Sequence, residues 1–208
     1  MSRAAQPVAA PAAPPPGNLN VANALTVVRV LLVPLVAWLL LLEDGEDPLW
    51  RLLALAAFAV ASITDHIDGE LARRRNLITD FGKIADPIAD KLLLGTVLVL
   101  LSSLGEVPWW ITVVILVREV GITALRFWVI RYGVIAASPG GKLKTTLQIA
   151  ALSIFLLPLD AWFDGAAYAW AHGFALAVLL AATVVTVVTG VDYVVRAVRL
   201  RRSGRARA

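Results

Sequence analysis

The chain has 208 residues, 59% of them hydrophobic and 16% charged, with a mean hydropathy of +0.78. A soluble domain of this length would carry more charge, so the composition points to a bilayer protein, whose net charge of +4 serves topology and anionic ligands and implies no nucleic acid. Cysteine is absent, which excludes disulfides, zinc–thiolate sites and cysteine nucleophiles.

Residues 1–19 are rich in proline and alanine (Pro7, Pro11, Pro14, Pro15, Pro16) and show no amphipathic period. They predict a disordered tail ahead of a membrane domain over 20–200, with a basic cytosolic tail over 201–208. A signal peptide fits poorly. The next apolar run is long enough to span, Arg29 interrupts it, and Glu43 and Asp44 stand where a small-residue cleavage site should be.

A spanning helix needs ~20 apolar residues. That length predicts an all-α fold with six transmembrane helices, at about 21–42, 49–71, 82–104, 107–131, 143–159 and 169–195. The connections after the first, third and fifth carry Glu43, Asp44, Glu46, Asp47, Glu106, Asp160 and Asp164, with Arg51 as their only basic residue. The other side holds Arg73, Arg74, Arg75, Lys83, Arg131, Lys142 and Lys144, then Arg196, Arg199, Arg201, Arg202, Arg205 and Arg207. Lysine and arginine accumulate on the cytosolic side, so both termini are expected there. The last span either stops before the basic end or runs on into it as one longer helix.

The segment 64–91, TDHIDGELARRRNLITDFGKIADPIADK, closes the second span, crosses a basic loop and opens the third. It places Asp65, Asp68, Asp86 and Asp90 in or beside helices that otherwise read as embedded. A charge inside a spanning helix costs ~2.5–3.5 kcal/mol on the insertion scale, so such residues point to function. At ~100° per residue, Asp65, Asp68, Gly69 and Ala72 share one face of the second span, while Gly82, Asp86 and Asp90 form a stripe on the third. If the faces oppose, four carboxylates converge. That cluster requires protons or cations, and oxygen-only ligands suit Mg²⁺, Mn²⁺ or Ca²⁺. The competing explanation is interfacial acids neutralised by Arg73–Arg75 and Lys91; it leaves buried acids without a reason. His66 points ~100° away from Asp65 and is not expected to ligate.

These residues resemble the CDP-alcohol phosphotransferase signature, D-x-x-D-G-x-x-A-R, eight residues, then G-x-x-x-D-x-x-x-D. Asp65, Asp68, Gly69, Ala72, Arg73, Gly82, Asp86 and Asp90 fill every fixed position. The stretch Asp86–Lys91, the opening Asn20–Arg29 with Ala22 in place of a proline, and the segments Arg118–Arg126 and Gly141–Gln148 are similar to the branch that makes phosphatidylglycerophosphate. The resemblance implies transfer of a phosphatidyl group from CDP-diacylglycerol to glycerol 3-phosphate. It also implies two Mg²⁺ (or Mn²⁺) held by Asp65, Asp68 and Asp86, with Asp90 joining them and acting as general base. Asp68, Gly69, Ala72, Arg73 and Gly82 would form the nucleotide site. By the same analogy the chain is a homodimer among the lipids of a bacterial inner membrane, its site facing the cytosol.

An acceptor such as glycerol 3-phosphate needs an anion site, for which Arg118, Arg126, Lys142 and Lys144 are the candidates. Arg118 could instead pair with Glu119, and the two lysines could be topology markers that point ~160° apart on a regular helix. Asn23, Thr26 and Arg29 share a face of the first span, towards the donor or towards a neighbouring helix. Asp192 and Arg196 are four apart and could satisfy each other. Inositol phosphate or phosphatidylglycerol is the alternative acceptor. A divalent-cation channel or carrier is the alternative class, although no repeated pair of broken helices is visible.

Overall fold

The computed structural model describes the backbone of residues 21–75, 80–129 and 139–205, and the side chains of 24–65, 88–129 and 140–201. Among the described residues the chain is helical throughout: α1 (Val21–Leu41), a 3₁₀ turn (Leu42–Gly45), α2 (Pro48–Arg75), α3 (Asp80–Ser103), α4 (Trp109–Val129), α5 (Pro139–Phe155), a short α6 (Leu159–Trp162) and α7 (Gly165–Arg205). A chain this apolar satisfies its backbone polar groups within helices, because lipid offers them no partner. The six long helices fall where the apolar runs predict them. The last one carries the basic end as far as Arg205.

Local chemistry explains the boundaries. Pro48 opens α2 at the position where a missing N–H costs nothing, and the Asp47 carboxylate caps that helix by accepting from the amides of Leu49 (2.8 Å) and Trp50 (3.1 Å). The turn before it winds left-handed through Glu43, Asp44 and Gly45, whose φ values are 49°, 53° and 76°. A Cβ at Gly45 would stand 2.8 Å from the Leu104 side chain, so glycine answers both the backbone and the packing there.

The bundle has two halves. Helix α1 packs along α2 and α3, α7 packs along α4 and α5, and α3 reaches across to α4 and α5. Leu40, Phe58, Leu98, Ile111, Leu152 and Leu179 are among the side chains buried where they meet. Large apolar side chains cover the outside as well, including Val117, Trp170, Val184 and Val188. So wide an apolar exterior fits a lipid surrounding. Among the described residues three segments are long and apolar enough to cross a membrane: Ala24–Gly45, Pro48–Asp65 and Gly165–Arg201. The other three long helices carry the charges or are shorter. Helix α3 includes Asp86, Asp90 and Lys91, α4 includes Arg118, Glu119 and Arg126, and α5 has 17 residues.

One buried side chain ties the acidic ends of the helices together. Arg51, 6% exposed, makes a bidentate pair with Glu106 (2.7 and 2.9 Å) and donates to the carbonyls of Gly45 (3.0 Å) and Phe155 (2.5 Å). It thereby joins the end of α1, the start of α2, the α3–α4 turn and the end of α5. The His172 ring meets Phe155 edge-on at 5.5 Å and brings in the start of α7. The helices therefore alternate in direction, and the aspartate-bearing halves of α2 and α3 lie away from this knot.

Candidate active site

Away from the clamp, polar side chains recur at a common depth. At ~1.5 Å per residue, Arg29 lies ~12 Å inside α1, Asp65 ~15 Å from the end of α2, and Asp90 ~15 Å from the start of α3. Glu119 is ~15 Å from the end of α4, and Gln148 is ~14 Å from the start of α5. A polar layer crosses an otherwise apolar bundle.

Its α1–α3 half contains two of the predicted aspartates. Asp65 is partly exposed and pairs with Arg29 of α1, the guanidinium Nη1 standing 2.7 Å from Oδ1. Arg29 itself is 0% exposed. Asp90 of α3 lines a cavity together with Glu119 and Lys144. Asp65 and Asp90, one acid from each predicted stripe, stand at a similar depth on helices α2 and α3, which touch. Asp68, Gly69, Ala72 and Arg73 fall within α2, and Gly82 and Asp86 within α3. Their side chains, and that of His66, lie outside the described residues. Among the described residues no three ligand side chains form a metal-holding group; Asp68 and Asp86 do not enter that comparison.

The α4–α7 half is a connected network. Glu119 accepts from Arg118 (3.0 Å) and is ion-paired with Lys144 of α5. Arg118 also donates to Thr189 of α7 at 2.9 Å. Gln148 donates to Thr186 of α7 at 3.1 Å and is 1% exposed. Small residues permit this closeness: a Cβ at Gly190 would sit 3.1 Å from the Arg118 side chain, and one at Gly140 would sit 2.7 Å from Thr189. A cavity of about 250 Å³ lies between α3, α4 and α5, with Asp90, Lys91, Glu119, Lys144, Thr145 and Gln148 among its lining and leucine and isoleucine making up much of the rest.

Of the four predicted acceptor residues, Arg118 and Lys144 meet, through a shared Glu119. Arg126 is exposed and stands over the Tyr193 ring at 6.0 Å. Lys142 is exposed where Lys144 is buried, so the divergence expected on a regular helix is present. Asp192 and Arg196 pair at 2.9 Å, as their spacing predicts. Glu119 and Gln148 also line the cavity, and neither belongs to the signature segment. The same test, a polar group deep in an apolar helix, applies to both.

Sequence relatives decide the family. The CDP-alcohol phosphatidyltransferase family model matches residues 19–196. The chain belongs to that family. Among this phosphatidyltransferase's relatives is a Mycobacterium tuberculosis protein named "Probable phosphatidylglycerophosphate synthase", 49% identical over 180 residues, which are 86% of this chain and 82% of the relative. A Bacillus subtilis CDP-diacylglycerol–glycerol-3-phosphate 3-phosphatidyltransferase is 40% identical over 148 residues (66% and 77% of the two chains). A Salmonella choleraesuis protein of the same name is 36% identical over 158 residues (73% and 85%). The phosphatidyltransferase is thus an enzyme of phospholipid synthesis, and the channel or carrier reading falls away.

Proposed function

We propose that the enzyme transfers the phosphatidyl group of CDP-diacylglycerol to a hydroxyl of glycerol 3-phosphate and releases CMP. The observation that carries this reading is the cavity in an apolar bundle lined by Asp90, Glu119 and Lys144, where a lysine and an arginine share that glutamate. The acceptor follows the names of relatives at 36–49% identity.

The donor set fits a divalent cation. Carboxylates at one depth of neighbouring helices in an apolar bundle call for protons or cations, and carboxylate oxygen is the ligand type that suits Mg²⁺ or Mn²⁺. We assign a pair of these ions to Asp65, Asp68, Asp86 and Asp90. When bound, they supply positive charge that neutralises the pyrophosphate oxygens and stabilises the departing CMP phosphate.

The residues of the chain then divide the work. Asp90, one turn beyond Asp86, takes the proton of the acceptor hydroxyl as its oxygen bonds to the phosphorus bearing diacylglycerol and the bond from that phosphorus to the CMP oxygen breaks. Gly69, Ala72 and Gly82 leave space for cytidine, while Asp68 and Arg73 make its polar contacts. Lys144 and Arg118, two cations sharing the single anion Glu119, retain one positive charge for the acceptor phosphate. Arg126 and Lys142, nearer the helix ends, draw the anion inward. The remaining features of the proposal are six spans, cytosolic termini, a plasma-membrane location with the site facing the cytosol, and a homodimer.

Purified enzyme given CDP-diacylglycerol and Mg²⁺ should release CMP fastest with glycerol 3-phosphate. Equal or faster release with inositol phosphate or phosphatidylglycerol would overturn the acceptor, and no release with any of them would overturn the reaction.

A further inference from the structure

The reaction as proposed leaves Arg29 without a task, yet it is the largest fully buried side chain described in the molecule. A guanidinium inside a spanning helix is costly, and its partner here is not a random surface acid but Asp65, the first residue of the signature. Asp65 is 40% exposed, so it does not need an arginine to compensate its own burial. Helix α1 does not need the ion pair to hold α2 either: Val36, Leu39 and Leu40 already pack in one core with Ala54, Phe58 and Ala61. What the pair does supply is direction. The buried guanidinium Nη1 stands 2.7 Å from one oxygen of Asp65 as an ion pair, and a carboxylate that offers one oxygen to a fixed charge presents the other in a set orientation.

We propose that Arg29 is a positioning residue: from α1 it anchors one oxygen of Asp65 so that the other is held ready for a divalent cation. The inference rests on the reading of Asp65 as a metal ligand. It explains why an arginine stands inside the first span, a helix that contributes no acid of its own. Outer partners of this kind set the orientation of a ligand, and losing one typically weakens metal affinity ~10–100-fold. The opposite role is also chemically defined. If the guanidinium instead stands where a cation should be, removing it frees Asp65 and strengthens metal binding.

The test is Mn²⁺ binding to the full-length chain in lipid nanodiscs, followed by the paramagnetic resonance of free Mn²⁺. The proteins are wild type, Arg29→Met, Arg29→Gln and Asp65→Asn, each with its thermal unfolding recorded. Arg29→Met is expected to bind Mn²⁺ at least tenfold more weakly, and its turnover should recover in part as Mn²⁺ is raised, so that the concentration for half-maximal rate moves in parallel with affinity. Unchanged or tighter Mn²⁺ binding in the folded variant overturns the proposal. Should Arg29→Met not fold, Arg29→Gln decides by the same criterion, because its shorter, uncharged side chain stays polar but cannot span the contact that the Arg29 Nη1 makes with Asp65. Asp65→Asn separates the two layers of the argument. Wild-type affinity in that variant removes the metal-ligand reading itself. Weak binding there beside normal binding in the Arg29 variants removes only the role given to Arg29.

Discussion

Asp90 joins the two halves of the polar layer. It sits on α3, which touches α1 and α2 on one side and α4 and α5 on the other, and it lines the cavity between α3, α4 and α5 with Glu119 and Lys144. A base at that point can face an acceptor held by the α4–α5 cations while its neighbours on α2 face the donor. Asp90→Asn keeps the shape of the side chain but cannot take a proton at neutral pH. Turnover is expected to fall ~10²–10⁴-fold, the usual contribution of a positioned general base. The fold should not suffer, because the substitution removes one of two like charges that repel in a low dielectric. CMP release together with thermal unfolding checks both halves of the prediction. A variant with near-normal turnover overturns the role of Asp90, whatever its stability. The aspartates were legible in the sequence because an acid in an apolar helix needs no neighbour to be conspicuous. The pairing of Arg118 with Glu119 on one helix was legible as an alternative; the pairings of Arg29 with Asp65 and of Lys144 with Glu119 were not, because each joins helices whose relative rotation no single-helix periodicity contains.

Helices α1, α2 and α7 include the described segments apolar enough to span on composition alone, whereas α3, α4 and α5 do not. Charged residues lie inside the bundle on both kinds of helix, among them Arg29 on α1, Arg51 on α2 and Lys144 on α5. The long elements were readable as runs of apolar residues, to within a few positions at most ends. The left-handed turn at Glu43–Gly45 and the four-residue α6 were not, because each depends on what the chain packs against next. Arg51 shows the same limit: on a charge map it is the stray cation among acidic loops, while in the bundle it bonds four segments at once. Its removal by Arg51→Met would leave Glu106 and two carbonyls without their partner. A buried pair broken on one side costs about 3–5 kcal/mol, so a lower unfolding temperature is expected. The polar layer lies ~21 Å along α2 from Arg51 to Asp65, so turnover measured well below unfolding should stay within about twofold of wild type. In a double-mutant cycle, Glu106→Gln should cost much less on the Arg51→Met background than alone. Additive losses would mean that the pair does not act as a unit.

The whole bundle has a direction that its charges define. The acidic residues of the connections α1–α2, α3–α4 and α5–α7 (Glu43, Asp44, Glu46, Asp47, Glu106, Asp160 and Asp164) gather at the end held by Arg51, and the arginines of α7 lie at the other, where Arg201 stacks over Trp128 of α4 at 5.0 Å. Lysine and arginine resist translocation, which is the ground for the proposal that the end rich in them faces the cytosol. That orientation puts Asp65 and Asp90 within ~15 Å of the cytosolic ends of their helices, within reach of a water-soluble acceptor and of the departing CMP. The opposite orientation would open the site to the wrong compartment for both. The chain contains no cysteine, so single cysteines can be introduced into the otherwise native enzyme and labelled in intact cells with a membrane-impermeant maleimide. Cysteine placed at Glu46 or at Asp164, both exposed at the clamped end, should react from outside without lysis. Cysteine placed at Ser203, in the basic end of the sequence, should react only after the membrane is opened. Labelling of position 203 in intact cells, with positions 46 and 164 protected, would reverse the bundle. Labelling of 46 and 203 on the same side would mean that the number of crossings between them is even, which six spans do not allow.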